Sequence, residues 1–216
     1  MQPSPGRPID GRPSPDRPVA GVLLAAGAGR RFGKPKALAE SPEEGNWLQR
    51  GVRLLLGAGC APVVVVLGAG ADEARALIPE GDARVIPVVA PDWEAGIGAS
   101  LRSAFDALFR EPAPVAALIT LVDLPYLAAS ALDRVLDGGA EPSMLRRAVY
   151  SGQPGHPVLI GRDHWDSLQA GLVGDLGAGP YLREHGAEPV DCTGLGGDDD
   201  VDTPPGPEST SQRRGM

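Results

Sequence analysis

Four short runs dominated by apolar residues decide most of what this chain can fold into: residues 19–25 (VAGVLLA), 62–67 (PVVVVL), 84–89 (RVIPVV) and 116–122 (AALITLV). A strand with one wet face alternates apolar and polar residues. These runs do not, so both of their faces must be covered. Between them the period changes. Leu48, Val52, Leu55 and Leu56 recur at i, i+4, i+7 and i+8, which predicts a helix over 47–57. Ile97, Leu101, Phe105 and Leu108 mark one face of a helix over 97–109, and shorter helices are predicted over 71–77 and 127–137. The alternation predicts an α/β fold with a mainly parallel sheet between helices. Pro87 cannot donate to a ladder, so the third strand belongs at an end or edge. Further on, strands are predicted over 145–149 and 157–160 around a turn at 151–155, helices near 162–168 and 177–185, and a last strand over 188–191.

In such sheets ligands bind beyond the carboxyl ends of the strands. The loops after Ala25, Leu67, Val89 and Val122 are therefore where chemistry belongs. The first, AGAGRRFGKPK (26–36), combines Gly27 and Gly29, which let backbone N–H groups converge on an anion, with Arg30, Arg31, Lys34 and Lys36. Four cations within seven residues suit a triphosphate. Composition sharpens the point. The chain has eighteen arginines and only two lysines, Lys34 and Lys36, both in this loop. A compact ammonium is favoured there over a planar guanidinium. The loop is not the GxxxxGK[ST] phosphate loop: Ala28 stands at its first glycine and Pro35 at its Ser/Thr. Nor is it GxGxxG, because Phe32 occupies the third glycine position.

Asp123 (LVDLP) ends the fourth strand, where a carboxylate can hold Mg2+ together with phosphates and water. The segment GDDDVDTP brings Asp200 and Asp202, two residues apart and on one face if extended, as candidates to complete that metal site. An acidic solvated linker is the other reading. Ser100, in the first turn of the helix after PDWEAGIGA, is a candidate nucleotide contact, and His156 in SGQPGHPV a candidate contact to the acceptor's phosphate. His164 and His185 carry no role, and the Met and Trp positions read as packing.

The totals exclude several classes. A net charge of −8 and a pI near 4.9 argue against nucleic acid or an anionic membrane as partner. Cys60 and Cys192 form neither a disulfide framework nor a zinc pattern, no run is long enough to span a bilayer, and a cytoplasmic setting is expected. Residues 1–18 and 204–216, rich in Pro, Gly and Arg or Ser, are expected to be disordered tails around a domain over 19–203.

The segment LLAAGAGRRFGKPKAL resembles the LAAGxGxRxGxxK signature of the MobA-like nucleotidyltransferases, and PDWEAGIGASL, LVDLP, GHPVLIGRDHW and DVDTP follow in that family's order. The resemblance implies a three-layer α/β/α fold of the glycosyltransferase-A type. It implies backbone contacts to nucleotide from Leu24, Ala25 and Ala26, a triphosphate held by Gly27, Gly29 and Arg31, Lys36 as the signature lysine, and Asp123 with Asp200 or Asp202 as magnesium ligands. The implied reaction moves NMP from a Mg2+-bound NTP to a small phosphorylated acceptor. Molybdopterin leads, with CTP favoured over GTP on the double-Ala form LAAG, and a transient contact with a molybdoenzyme or its chaperone would follow. The sequence departs from the family after DVDTP, where Pro205–Gly–Pro replaces a helix, and at the inserted ESPEEGN (40–46). A sugar-1-phosphate nucleotidyltransferase and a non-catalytic nucleotide-binding regulator or chaperone are the alternatives. A dehydrogenase is a distant third, because no acid other than Asp72 is a candidate to follow the second strand closely enough to grip a ribose.

Overall fold

The computed structural model describes residues 17–79, 81–197 and 201. Four parallel strands carry the first half: β1 (Val19–Ala25), β4 (Val63–Leu67), β5 (Val85–Val89) and β6 (Ala116–Leu121). A small antiparallel ribbon, β2 (Glu40–Ser41) with β3 (Gly45–Asn46), interrupts the first crossover. The second half adds β7 (Leu145–Tyr150), β8 (Gln153–Gly161) and β9 (Glu188–Asp191). The seven-stranded order is β5-β4-β1-β6-β8-β7-β9. Only β8 runs against its neighbours, so the sheet is mostly parallel. Pro87 lies on β5, an edge strand, as its missing donor requires.

The two faces separate residue by residue. Leu23, Val65 and Leu118 point to a layer that includes α1 (Trp47–Gly57), α2 (Ala71–Ala76) and α4 (Ala129–Leu136). Val22, Val64 and Ile119 point to the opposite layer, with α3 (Ile97–Leu108), α5 (Trp165–Gly171) and α6 (Gly179–Glu184). This is the expected α/β/α sandwich. Close approach of α1 to β1 depends on Gly51, where a Cβ would stand 2.8 Å from Leu23 Cδ1.

The predicted elements recur with shifted ends. The expected turn at 151–155 shrinks to Ser151 and Gly152, both at positive φ, which is the two-residue hairpin geometry whose twist matches the flanking strands. The insertion 40–46 forms the β2–β3 ribbon, and its Asn46 side chain accepts from the Gln49 N–H and so caps α1. Arg17 and Pro18, assigned to the tail by composition, join the domain: the Val115 N–H donates to the Pro18 carbonyl at 2.9 Å, and Arg17 pairs with Glu141. The remaining tail positions, 1–16 and 204–216, lie outside the described residues.

Candidate active site

From β1 the chain crosses through α1 to β4 and β5 on one side. It then returns through α3 to β6 on the other. The loops after β1 and β6 therefore part at the switch point of the sheet, where a crevice must open. A cavity of about 410 Å3 occupies it. Its floor is the end of β1 and its walls are the glycine-rich loop, the start of α3 and Asp123.

The loop curls tightly on itself. The Gly33 N–H donates to the Gly29 carbonyl at 2.8 Å, and Gly29 has φ +59°. A Cβ there would stand 2.0 Å from the Lys34 carbonyl oxygen and 3.4 Å from Lys36 Cγ. Gly27 differs. Nothing lies within 4 Å of its would-be Cβ, which would project into open space at the cavity wall. Pro35 and a 3-10 turn over Lys36–Leu38, pinned by buried Ala37 and Ala39, direct Lys36 inward. Its Nζ donates to Asp123 Oδ2 at 2.7 Å, with both side chains largely withdrawn from solvent.

Of the four loop cations, Arg30 and Lys36 line the cavity, while Arg31 and Lys34 are exposed on the turn outside it. Leu24 and Ala26 line it; Ala25 does not, since its side chain belongs to the opposite layer. The Leu24 carbonyl accepts from the Val122 N–H and the Ala26 carbonyl from the Ala69 N–H, so neither carbonyl is without a partner. Ser100 lines the cavity and is nearly buried. The Gly98 N–H, a candidate anion donor from its place in the first helical turn, is taken by the Gly174 carbonyl at 3.0 Å.

Magnesium takes oxygen ligands, and one or two carboxylates with phosphates and water suffice. Asp123 fits that demand at the cavity edge. Among the described residues no three His, Cys, Asp or Glu side chains gather to hold a metal ion. Asp200 and Asp202 lie outside the described residues; Val201, between them in sequence, donates its N–H to the Asp123 carbonyl at 3.0 Å.

His156 stands apart from the cavity, at the start of β8. Its Nδ1 lies 3.3 Å from the Ile119 carbonyl oxygen, and it lines two neighbouring hollows. Three features go beyond the sequence reading. Trp93 packs against the core layer of α3 and also lines the cavity, and Gly68 admits it: a Cβ there would meet Trp93 Cγ at 2.7 Å. Asp175 lines the cavity from the loop before α6, and only its glycine-flanked position hinted at this. His164 and His185, given no role from the sequence, both pack their rings on Tyr181. Asp72 is exposed on α2 and does not line the cavity.

A switch-point crevice with a curled cationic glycine loop on one side and a strand-end carboxylate on the other defines a nucleotide-handling α/β protein of the nucleotidyltransferase type. The chain belongs to the MobA-like NTP transferase domain family, whose model matches residues 21–190. It is 35% identical over 196 residues to the Nicotine blue oxidoreductase of Paenarthrobacter nicotinovorans, covering 86% of this chain and 92% of that one. It is 31% identical over 148 residues to a probable molybdenum cofactor guanylyltransferase of Mycobacterium tuberculosis, covering 68% of this chain and 65% of the relative. Among solved structures, Rv0371c of M. tuberculosis H37Rv superposes with a TM-score of 0.73 at 27% identity, over 87% of this chain and 94% of that one. A manganese complex of the same protein superposes with a TM-score of 0.65 at 26% identity, over 82% and 89%. No helix of the described residues is long and apolar enough to cross a membrane.

Proposed function

We propose that this protein transfers NMP from a Mg2+-bound NTP to a small phosphorylated acceptor, with molybdopterin the leading acceptor and CTP favoured over GTP. One observation carries the reading: the Lys36 ammonium and the Asp123 carboxylate meet at 2.7 Å on the edge of a cavity walled by the glycine-rich loop. An acceptor phosphate oxygen attacks the α-phosphorus in line, the bond to the bridging oxygen breaks, and pyrophosphate leaves. A phosphate monoester is already anionic at neutral pH, so no general base is needed. Positioning and charge neutralisation then dominate, as in other phosphoryl chemistry. Lys36 has three donors, so it can keep Asp123 and still reach a phosphate oxygen. Arg30 and Arg31 add positive charge along the loop, Gly27 and Gly29 give the triphosphate room, and Ser100 offers its hydroxyl. Leu24, Ala25 and Ala26 form the edge on which the nucleoside lies, and His156 faces the acceptor side. Asp123, with Asp200 or Asp202, would hold Mg2+, which when bound neutralises phosphate charge. NTP supply puts the reaction in the cytoplasm, and delivery to a molybdoenzyme or its chaperone would follow.

The base preference rests on the double-Ala signature, against which stands the mycobacterial relative named as a guanylyltransferase. The relative named Nicotine blue oxidoreductase supports a second reading, redox chemistry on a small substrate, because a dinucleotide also carries a diphosphate that the glycine loop can hold. The test is pyrophosphate release with each of the four NTPs and Mg2+, with and without molybdopterin, for wild type and Lys36→Ala. Release that requires molybdopterin, favours CTP and collapses in the variant supports the proposal. Nucleotide binding without release sinks this acceptor; oxidation of NADH or NADPH by a dye substrate would then establish the second reading.

A further inference from the structure

Adjoining the nucleotide cavity is a second one of about 240 Å3, of whose lining the mechanism above uses only Leu24 and His156. Leu24, Ile97 and Asp175 line both, so the two are contiguous. The second cavity is largely apolar, with Leu101, Ile119 and Val158 in its wall, and Arg147 and His156 are its basic groups.

Two neighbouring arginines of β7 contrast sharply. Arg146 is an internal strut: it pairs with Glu188 at 2.9 Å and donates to the carbonyls of Val135, Asp137 and Gly139. Arg147 faces the other way. It is half-buried, and its Nε donates to the Gly155 carbonyl at 3.3 Å. Among the described residues no carboxylate forms an ion pair with it or with Arg183. Instead the two guanidiniums border one gap, for a Cβ on Gly179 would stand 3.7 Å from Nη1 of each. Burial first, and Arg183 second, pull Arg147 below the usual guanidinium range. Withdrawing a charge from water beside a like charge is unfavourable unless an opposite charge arrives. Asp175, the acid on this cavity's wall, lies instead against Gly96.

We propose that Arg147 and Arg183, across the gap beside Gly179, hold an anionic group of the second substrate, a phosphate or carboxylate, while its apolar body fills the 240 Å3 cavity. Planar guanidinium forks suit such anions. Assigning that anion to the acceptor rests on the nucleotidyl-transfer reading; the anion site itself does not.

The test follows the arginine Nε–H resonances of the full chain during titration with inorganic phosphate, and separately with acetate. Arg147 and Arg183 are expected to shift saturably, and to do so still in Lys36→Ala, where the glycine loop is weakened. Stronger response to phosphate or to acetate identifies the anion. Gly179→Asp, which supplies an internal carboxylate, is expected to abolish the response without lowering the melting temperature or CTP affinity. Arg147→Gln is expected to raise the KM for molybdopterin about tenfold or more with the Kd for CTP unchanged. Absence of a saturable shift at both arginines, or an unchanged one in Gly179→Asp, overturns the site. A clear phosphate response without nucleotidyl transfer would sink the function proposed above and leave the site standing. Transfer with an unaltered acceptor KM in Arg147→Gln would sink the acceptor assignment.

Discussion

Lys36 and Asp123 are 87 residues apart in sequence, yet the Lys36 ammonium lies 2.7 Å from Asp123 Oδ2. Adjacent parallel strands β1 and β6 bring their following loops together, and the 3-10 turn behind Pro35 aims the lysine back across the gap. Neither residue is needed to close the core. The pair is thus a polar contact maintained at the edge of a cavity.

That arrangement predicts a large effect on turnover and a small one on stability. Lys36→Ala should lower kcat/KM by hundreds-fold, about 3–4 kcal/mol of transition-state stabilisation, and Asp123→Asn similarly. The double variant should lose much less than the product of the two, because both act on the same phosphates. Rates of pyrophosphate release alongside urea midpoints check this. Multiplicative losses would mean that the two residues act separately.

The two loop glycines should separate folding from binding. Gly29→Ala combines positive φ with a Cβ 2.0 Å from the Lys34 carbonyl, so the loop must open. The conformational part alone costs roughly 1–2 kcal/mol. Gly27→Ala meets nothing within 4 Å, so the loop survives and only the cavity wall changes. Expected outcomes are a lower melting temperature with lost NTP binding for Gly29→Ala, and an unchanged melting temperature with weakened NTP binding for Gly27→Ala. Calorimetry of both variants checks the pair.

Ser100 should contribute to nucleotide affinity alone. It is nearly buried at the cavity and no described residue forms a hydrogen bond with its hydroxyl. Ser100→Ala should weaken NTP binding by about 0.5–1.5 kcal/mol, a few-fold to about tenfold in Kd. Stability should be unchanged or slightly higher. Unaltered affinity would assign Ser100 to packing.

Much of this was legible in the sequence, for identifiable reasons. Buried strands and amphipathic helices announce themselves by period, so β1, β4 and β6 and helices α1 and α3 emerged in place. Lys36 stood out because the chain otherwise uses arginine. The misses share a cause. Trp93 packs on the core as its ring suggests, but only its seat over Gly68, beside Ala26, shows that it also lines the cavity. Arg146 and Arg147 are indistinguishable as letters, and only the facing of β7 makes one a strut and leaves the other without a carboxylate partner. Asp175 reaches the cavity through the Gly98–Gly174 hydrogen bond, a long-range contact without local signature.

The last prediction concerns pH. Cys60 is buried behind α1, its N–H donating to the Leu55 carbonyl at 3.1 Å, and burial pushes its thiol up from 9.0 to about 12. Between those values the unfolded chain has released this proton and the folded chain still holds it. Unfolding then releases a proton, so stability falls as pH rises through the window. The limiting slope is about 1.4 kcal/mol per pH unit for one such group. Below pH 9.0 the group contributes no slope, since it is neutral in both states. Cys60→Ala removes the titration and leaves a pH-independent offset from the lost volume. Urea midpoints of wild type and variant should therefore run parallel below that pH and converge above it, with Cys192 and Tyr181, also raised by burial, titrating alike in both. Curves that remain parallel throughout would show that the Cys60 thiol ionises in the folded protein as readily as in the unfolded chain.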